Sequence, residues 1–216
     1  MAGIPVLILG RSGTGKSASL RNFQSDEVSV INVNGKRFPF QSKLERVIVT
    51  DNSQKIILGL KKSTSKVIVI DDSQYIMANE FMRNALCKGF DKYNLIAKNF
   101  WDIIYAIRDL PDDKTVYFLH HEETGDDGVV RAKTQGKMID NHICLEGMFG
   151  IVLRTFVKDG VYGFTTQNDG NDTVKSPMGM FPEMEIDNDL YAVDCYIRKY
   201  YGLPAIRSGK KAAEKK

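Results

Sequence analysis

Among 216 residues there are only three cysteines, Cys87, Cys144 and Cys195. They are isolated, odd in number and without metal-ligand spacing, so they exclude a disulfide framework and a zinc-type cluster and read as reduced thiols. Long hydrophobic runs are also lacking. The apolar stretch Ile4 to Leu9 is too short and has no basic leader, so it reads neither as a signal peptide nor as a membrane span. A large excess of either charge is missing too, since the formal net charge is +3. Most of that excess sits at the end, where Arg207, Lys210, Lys211, Lys215 and Lys216 face only Glu214, leaving the rest near neutral. Such a tail is either a solvated terminus or an electrostatic contact for nucleic-acid phosphates. These absences leave a cytoplasmic globular protein as the expectation. With 43% hydrophobic and 26% charged residues, the chain can bury one large core. One domain is expected over residues 1–206, followed by a basic flexible tail over 207–216.

Glycine, by contrast, is concentrated where it has a use. Gly10-Arg11-Ser12-Gly13-Thr14-Gly15-Lys16-Ser17 fits GxxxxGK(S/T) and follows an apolar stretch that reads as a buried strand. A strand that delivers a glycine-rich turn to a helix start presents unpaired backbone N–H groups to an anion. Gly10, Gly13 and Gly15 allow close approach of phosphate, Lys16 reaches the β- and γ-phosphates, and the Ser17 hydroxyl ligates Mg²⁺. The loop residues Gly10, Arg11, Ser12, Gly13, Thr14, Gly15, Lys16, Ser17 and Ala18 are therefore the candidate site for ATP with Mg²⁺. Lys16, on a loop, is expected to be exposed, and residues 18–23 to open a helix.

Beyond the loop the pattern is α/β. Strands are expected over 28–33 and 47–50, with a helix over 53–61. The β-branched run Val67-Ile68-Val69-Ile70 is then expected as a strand buried on both faces of a parallel sheet, ending in Asp71 and Asp72. A helical region over 74–108, broken around Gly89-Phe90-Asp91, leads to a strand over 115–121. A polar loop over 122–137, a helix over 138–148, and a hairpin over 151–157 and 161–166, turning at Lys158-Asp159-Gly160, come next. A loop over 176–189 precedes a final amphipathic helix over 190–201.

Asp71, closing its strand, is placed to hold Mg²⁺ opposite Ser17. Hydrolysis needs a further group for the attacking water. Asp72 is the first candidate, with helix capping as its alternative role, and Glu122 or Glu123 the second. His120 and His121 lie at the carboxyl end of a parallel strand, the edge where open α/β sheets bind ligands. Alternation sends the two to opposite faces, so one of them, here His120, can sense the γ-phosphate while the other is structural. His142 has no assigned role. Arg131, Lys133 and Lys137 form a basic half-loop that could contact DNA or the ATP of a neighbouring subunit, or simply be solvated. Arg83, Lys88, Phe90, Lys92, Tyr93 and Lys98 interleave bases with aromatics, either as a single-strand surface or with the aromatics packed as core.

The order of these parts resembles a RecA-type core. It comprises a P-loop strand, a Walker B strand reading Val67-Ile68-Val69-Ile70-Asp71-Asp72-Ser73-Gln74-Tyr75, a strand ending His120-His121-Glu122-Glu123, a loop, and a closing hairpin. More narrowly the chain is similar to small phage-encoded ATPases with a minimal RecA core, grouped with single-strand annealing and recombination proteins. The segment from Val174 to Phe181, leading to Asp187-Asn188-Asp189-Leu190-Tyr191, shares that likeness. The resemblance implies a RecA-like P-loop fold, mostly parallel, with a C-terminal hairpin and final helix. It also implies ATP-dependent binding of single-stranded DNA, with annealing or strand exchange, by a DNA-stimulated ATPase in the host cytoplasm, as a homo-oligomer and with a single-strand-binding protein as a possible partner. One departure is plain. RecA proteins carry a catalytic glutamate at the end of the strand after the P-loop helix, where this chain has Asn32-Val33-Asn34. Either hydrolysis is slow or the base has moved to Asp72 or Glu122. The competing expectation is a nucleotide-switched loader that binds a helicase or single-strand-binding protein with little turnover. A small-molecule kinase is disfavoured by the lack of an arginine-rich lid.

Overall fold

A computed structural model describes residues 2–89, 91–136 and 143–207. The chain is a mixed α/β protein with a mostly parallel central sheet flanked by helices. The strands are β1 (Ile4–Gly10), β2 (Val28–Asn32), β3 (Val47–Val49), β4 (Val67–Asp71), β5 (Thr115–Thr124), β6 (Val130–Ala132), β7 (Ile151–Lys158), β8 (Val161–Thr165) and β9 (Glu185–Asp187). The helices are α1 (Ser53–Lys62), α2 (Gln74–Arg83), α3 (Asp91–Ala106) and α4 (Leu190–Tyr201). The sheet runs β3-β2-β4-β5-β1-β7-β8-β9, and β6 pairs with the far end of β5. From β3 to β7 every neighbour is parallel, whereas β8 and β9 turn back antiparallel.

Strand alternation explains the two cores. Leu7, Leu9, Ile68, Ile70, Val116 and Phe118 point to the side covered by α1, α2 and α3. Their neighbours Val6, Ile8, Val67, Val69, Tyr117 and Leu119 point to the other side, under Leu20, Leu190, Val193 and Ile197. Because both faces are covered, the central strands read as continuous apolar runs. Each fully buried Leu, Ile or Val in them contributes about 1.5–3 kcal/mol of transfer free energy. α4 begins at Asp189, whose carboxylate accepts from the Tyr191 and Ala192 N–H groups, and ends at Gly202 in the left-handed region. No helix among the described residues is long and apolar enough to cross a membrane.

Several boundaries differ from expectation. The segment after the glycine-rich loop is a 3-10 turn over Ser17–Asn22, ended where Phe23 extends to bury its ring. The helical region 74–108 ends its first part at Arg83, before the glycine, and closes with a 3-10 turn over Ile107–Asp109. The expected loop 122–137 is partly a hairpin, with Glu122, Glu123 and Thr124 paired to Ala132, Arg131 and Val130. Of the helix expected over 138–148, residues 138–142 lie outside the described residues, and the rest holds only a 3-10 turn at Glu146–Met148. The loop 176–189 carries β9, which makes the closing hairpin a three-stranded meander. The described residues extend to Arg207. Its guanidinium donates to both Glu27 carboxylate oxygens and lies 4.0 Å from the Tyr191 ring centre. Residues 208–216 lie outside the described residues.

Candidate functional site

β1 sits between β5 and β7, and the chain leaves β1 toward β2 on one side but leaves β5 toward β7 on the other. A parallel sheet opens a crevice at the carboxyl ends of strands at such a reversal. A cleft of about 480 Å³ opens beside the turn after β1, lined from that turn by Ser12, Gly13, Gly15, Lys16, Ser17 and Ala18. It is closed on the far side by Asp71, Asp72, Tyr75 and His121, and from above by Lys36, Arg37 and Pro39.

Two glycines are required by what surrounds them. A Cβ on Gly10 would fall 1.9 Å from the Thr155 hydroxyl, which reaches over from β7 and bonds Thr14 Oγ1 at 2.6 Å. Gly15 has a φ of +95°, and a Cβ there would meet Asn188 Nδ2 and the Tyr162 ring at 3.0 Å. Asn188 Nδ2 is itself a buried donor with no hydrogen-bond partner among the described residues. Lys16 is not exposed as expected but 7% exposed, because its ammonium folds back to donate to the Gly10 and Arg11 carbonyls at 2.7 and 2.8 Å. Burial lowers its pKa to about 8 against the pull of Asp72, Asp71 and Glu122. Ser17 Oγ donates to Asp71 Oδ1 at 2.8 Å, so the two residues expected to share a metal are brought together. Burial pushes the Asp71 carboxyl up to about 6; the Ser17 hydrogen bond opposes the rise and the Asp72 charge adds to it.

Asp72 does not cap α2. The N-cap is Ser73, without a side-chain cap bond, and Asp72 takes a φ of +62° that swings its carboxylate across the cleft. Oδ2 accepts from Asn34 Nδ2 at 3.0 Å and Lys36 Nζ at 2.9 Å, while Oδ1 lies 3.4 Å from His121 Nε2. Burial would raise this carboxyl, but the His121, Lys36 and Asn34 hydrogen bonds outweigh it and hold the group far below the usual carboxylate range. A carboxylate so held is a weak base while those partners remain.

The histidine doublet divides as alternation requires, but in the opposite sense to the assignment of His120. His120 is fully buried beside Phe100, with Nδ1 2.8 Å from Ser73 Oγ and Nε2 2.9 Å from the Lys133 carbonyl. Burial lowers its pKa to about 4. Its hydrogen bonds tie β5 to the N-cap of α2 and to the segment after β6, and it does not line the cleft. His121 does, edge-on to Tyr75.

Glu122 is also corrected as a base. Its side chain is 3% exposed, and Arg154 clamps it with two hydrogen bonds of 2.8 and 2.9 Å while Arg11 Nε lies 3.4 Å away. Glu123 sits in the β5–β6 hairpin away from the cleft. Arg131, on that hairpin, pairs with Asp127 at 2.5 Å, and Lys133 contributes its backbone to His120 and His121. Lys137 lies outside the described residues. Of the interleaved basic surface, Arg83 pairs with Asp51 and Lys98 with Asp102, while Lys92 lies over the Phe81 and Tyr93 rings. Phe90 lies outside the described residues.

Sequence reasoning missed Lys36, Arg37, Tyr75 and Tyr162 as cleft residues. The available signal for Lys36 was its place just past the carboxyl end of β2, on the ligand-binding edge. Among the described residues no three His, Cys, Asp or Glu side chains converge as a protein-only metal site. Mg²⁺ on a nucleotide does not need one, since phosphate and water supply most of its ligands. No protein family matches the chain, and no curated protein is significantly similar to it.

Proposed function

We propose that this chain is a RecA-like P-loop ATPase that binds Mg²⁺–ATP in the cleft beside Lys16 and acts with single-stranded DNA in recombination, annealing or replication. The observation that carries the nucleotide half is the pairing of a Lys16 ammonium seated on loop carbonyls with a Ser17–Asp71 contact of 2.8 Å, at the carboxyl edge of a parallel sheet. Lys16 and the loop N–H groups would neutralise the β- and γ-phosphates. Ser17 and Asp71 fit a hydrated Mg²⁺, which when bound would polarise the phosphate oxygens. The Ser17–Asp71 hydrogen bond holds both oxygens ready at one point. β5, between the P-loop strand β1 and the Asp71 strand β4, carries His121 to where a γ-phosphate would lie. In hydrolysis, water attacks the γ-phosphorus, the bond to the β-bridging oxygen breaks, and a proton passes to a base; Asp72, which lines the cleft, is the candidate for it.

The same geometry favours a second reading, a nucleotide-switched loader with little turnover. Asp72 is held by Asn34, Lys36 and His121, and Glu122 by Arg154, so neither carboxylate stands free. Titration calorimetry with Mg²⁺–ATP, followed by ATPase rates with and without single-stranded DNA at low salt, tests both. Binding with DNA-stimulated turnover supports the ATPase. Binding with negligible turnover supports the loader, and no binding heat overturns both.

A further inference from the structure

The strap between β2 and β3 is anchored at its middle rather than at its ends alone. Phe38 and Phe40 stack at 5.4 Å and pack against the core on the α4 side of the sheet, with Leu44. The anchoring fixes the stretch just before it, so Lys36 and Arg37 project into the cleft mouth opposite Lys16. Lys36 donates to Asp72 and lies 5.1 Å from the Tyr75 ring centre, a cation–π distance. Lys36 and Lys16 line the same cleft. Two ammonium groups thus face one small space, and the second is moored to an aspartate next in sequence to Asp71.

A cation drawn toward another cation needs an anion to repay the repulsion. In the free protein Asp72 supplies it, at 2.9 Å and with 63% of the Lys36 side chain exposed, so the contact is not sealed from competitors. A terminal phosphate, carrying more charge than one carboxylate, would compete for it well. Resting on the nucleotide reading above, we propose that Lys36 is a terminal-phosphate ligand that distinguishes nucleoside triphosphate from diphosphate. On binding it exchanges Asp72 for the γ-phosphate. The exchange loosens the hold on Asp72 Oδ2, leaving that oxygen with Asn34 alone, and so couples triphosphate recognition to the release of the candidate base.

The test is binding, independent of turnover. Dissociation constants for Mg²⁺–ATP and Mg²⁺–ADP are measured by calorimetry for the unsubstituted chain, Lys36→Met and Lys36→Arg. Expected are an about tenfold loss of ATP affinity in Lys36→Met with ADP changed less than about twofold, and recovery of most of the ATP affinity in Lys36→Arg. Equal losses for both nucleotides, or an unchanged ratio, overturn the role of Lys36 while leaving the P-loop reading intact. Failure of the unsubstituted chain to bind either nucleotide overturns the P-loop reading and this inference with it.

Discussion

Buried charge occurs at both ends of the central sheet, and the two ends treat it differently. At the amino ends of β4 and β5, Asp194 and Arg198 of α4 are 0% and 2% exposed. Arg198 Nε donates to Asp194 Oδ2 at 2.5 Å, and its remaining nitrogens donate to the Asp113, Pro204 and Lys66 carbonyls. Asp194 Oδ1 accepts from Thr115 and Tyr117. Every charged atom there is closed by the chain itself. At the carboxyl ends, Lys16 and Asp71 are nearly as enclosed, yet their pKa values are pulled toward neutrality, to about 8 and about 6. The first cluster is complete and locks α4 to the sheet. The second leaves both groups pulled away from their ordinary titration ranges, a pattern that clusters where charge serves chemistry rather than folding.

The sharpest way to break the comparison is Asp194→Ala. It leaves Arg198 buried without its partner and should cost about 3–5 kcal/mol in urea denaturation. A loss below about 1 kcal/mol would mean the pair is not the closed cluster described. His120 gives the next largest effect. Its folded pKa of about 4 lies below the free value of 6.5, so between those pH values the unfolded chain binds more protons. The stabilisation is fully present above about pH 6.5 and is lost as pH falls toward 4, amounting to about 3 kcal/mol. Asp71 works in the opposite sense, because its raised pKa lets the folded chain hold the extra proton between about 3.8 and 6. His120→Gln should remove the first contribution alone and flatten the acid limb of stability against pH; an unaltered limb would show that His120 is not buried neutral. Lys16→Ala is expected to weaken Mg²⁺–ATP binding about 100-fold, equivalent to about 2.7 kcal/mol, while costing the fold about 1 kcal/mol or less. Calorimetry alongside thermal melting separates the two. A large loss of stability would place Lys16 with Arg198 as a structural charge.

Particular elements mark how far the sequence could be read. β1 and its glycine loop, β4 with Asp71, and α4 between Asp189 and Gly202 were all legible, because each combines an unbroken apolar period with a local terminator. β6 and β9 were not. They are three residues long, partly exposed, and exist only because the ends of β5 and β8 offer them hydrogen bonds. The 3-10 turn at Ser17–Asn22 was likewise hidden, since the helical pattern continues and only the burial of Phe23 stops it. In the cleft, the sequence named Lys16, Ser17 and Asp71; for Lys36 it offered only a place just past β2, because its contact with Asp72 joins residues on two different strand ends.

The sequence by itself determined the glycine turn with its lysine and serine, the aspartate at the end of a β-branched strand, and the alternation that must separate His120 from His121. These are local, set by neighbours along the chain and by the pleat of a strand. Only the tertiary structure decided which histidine faced the cleft, that Lys16 would be buried, that Arg154 would occupy Glu122, and that the φ of Asp72 would turn it toward Lys36. Those outcomes depend on which strands lie side by side, and strand order is fixed by the burial of both sheet faces together rather than by any one segment.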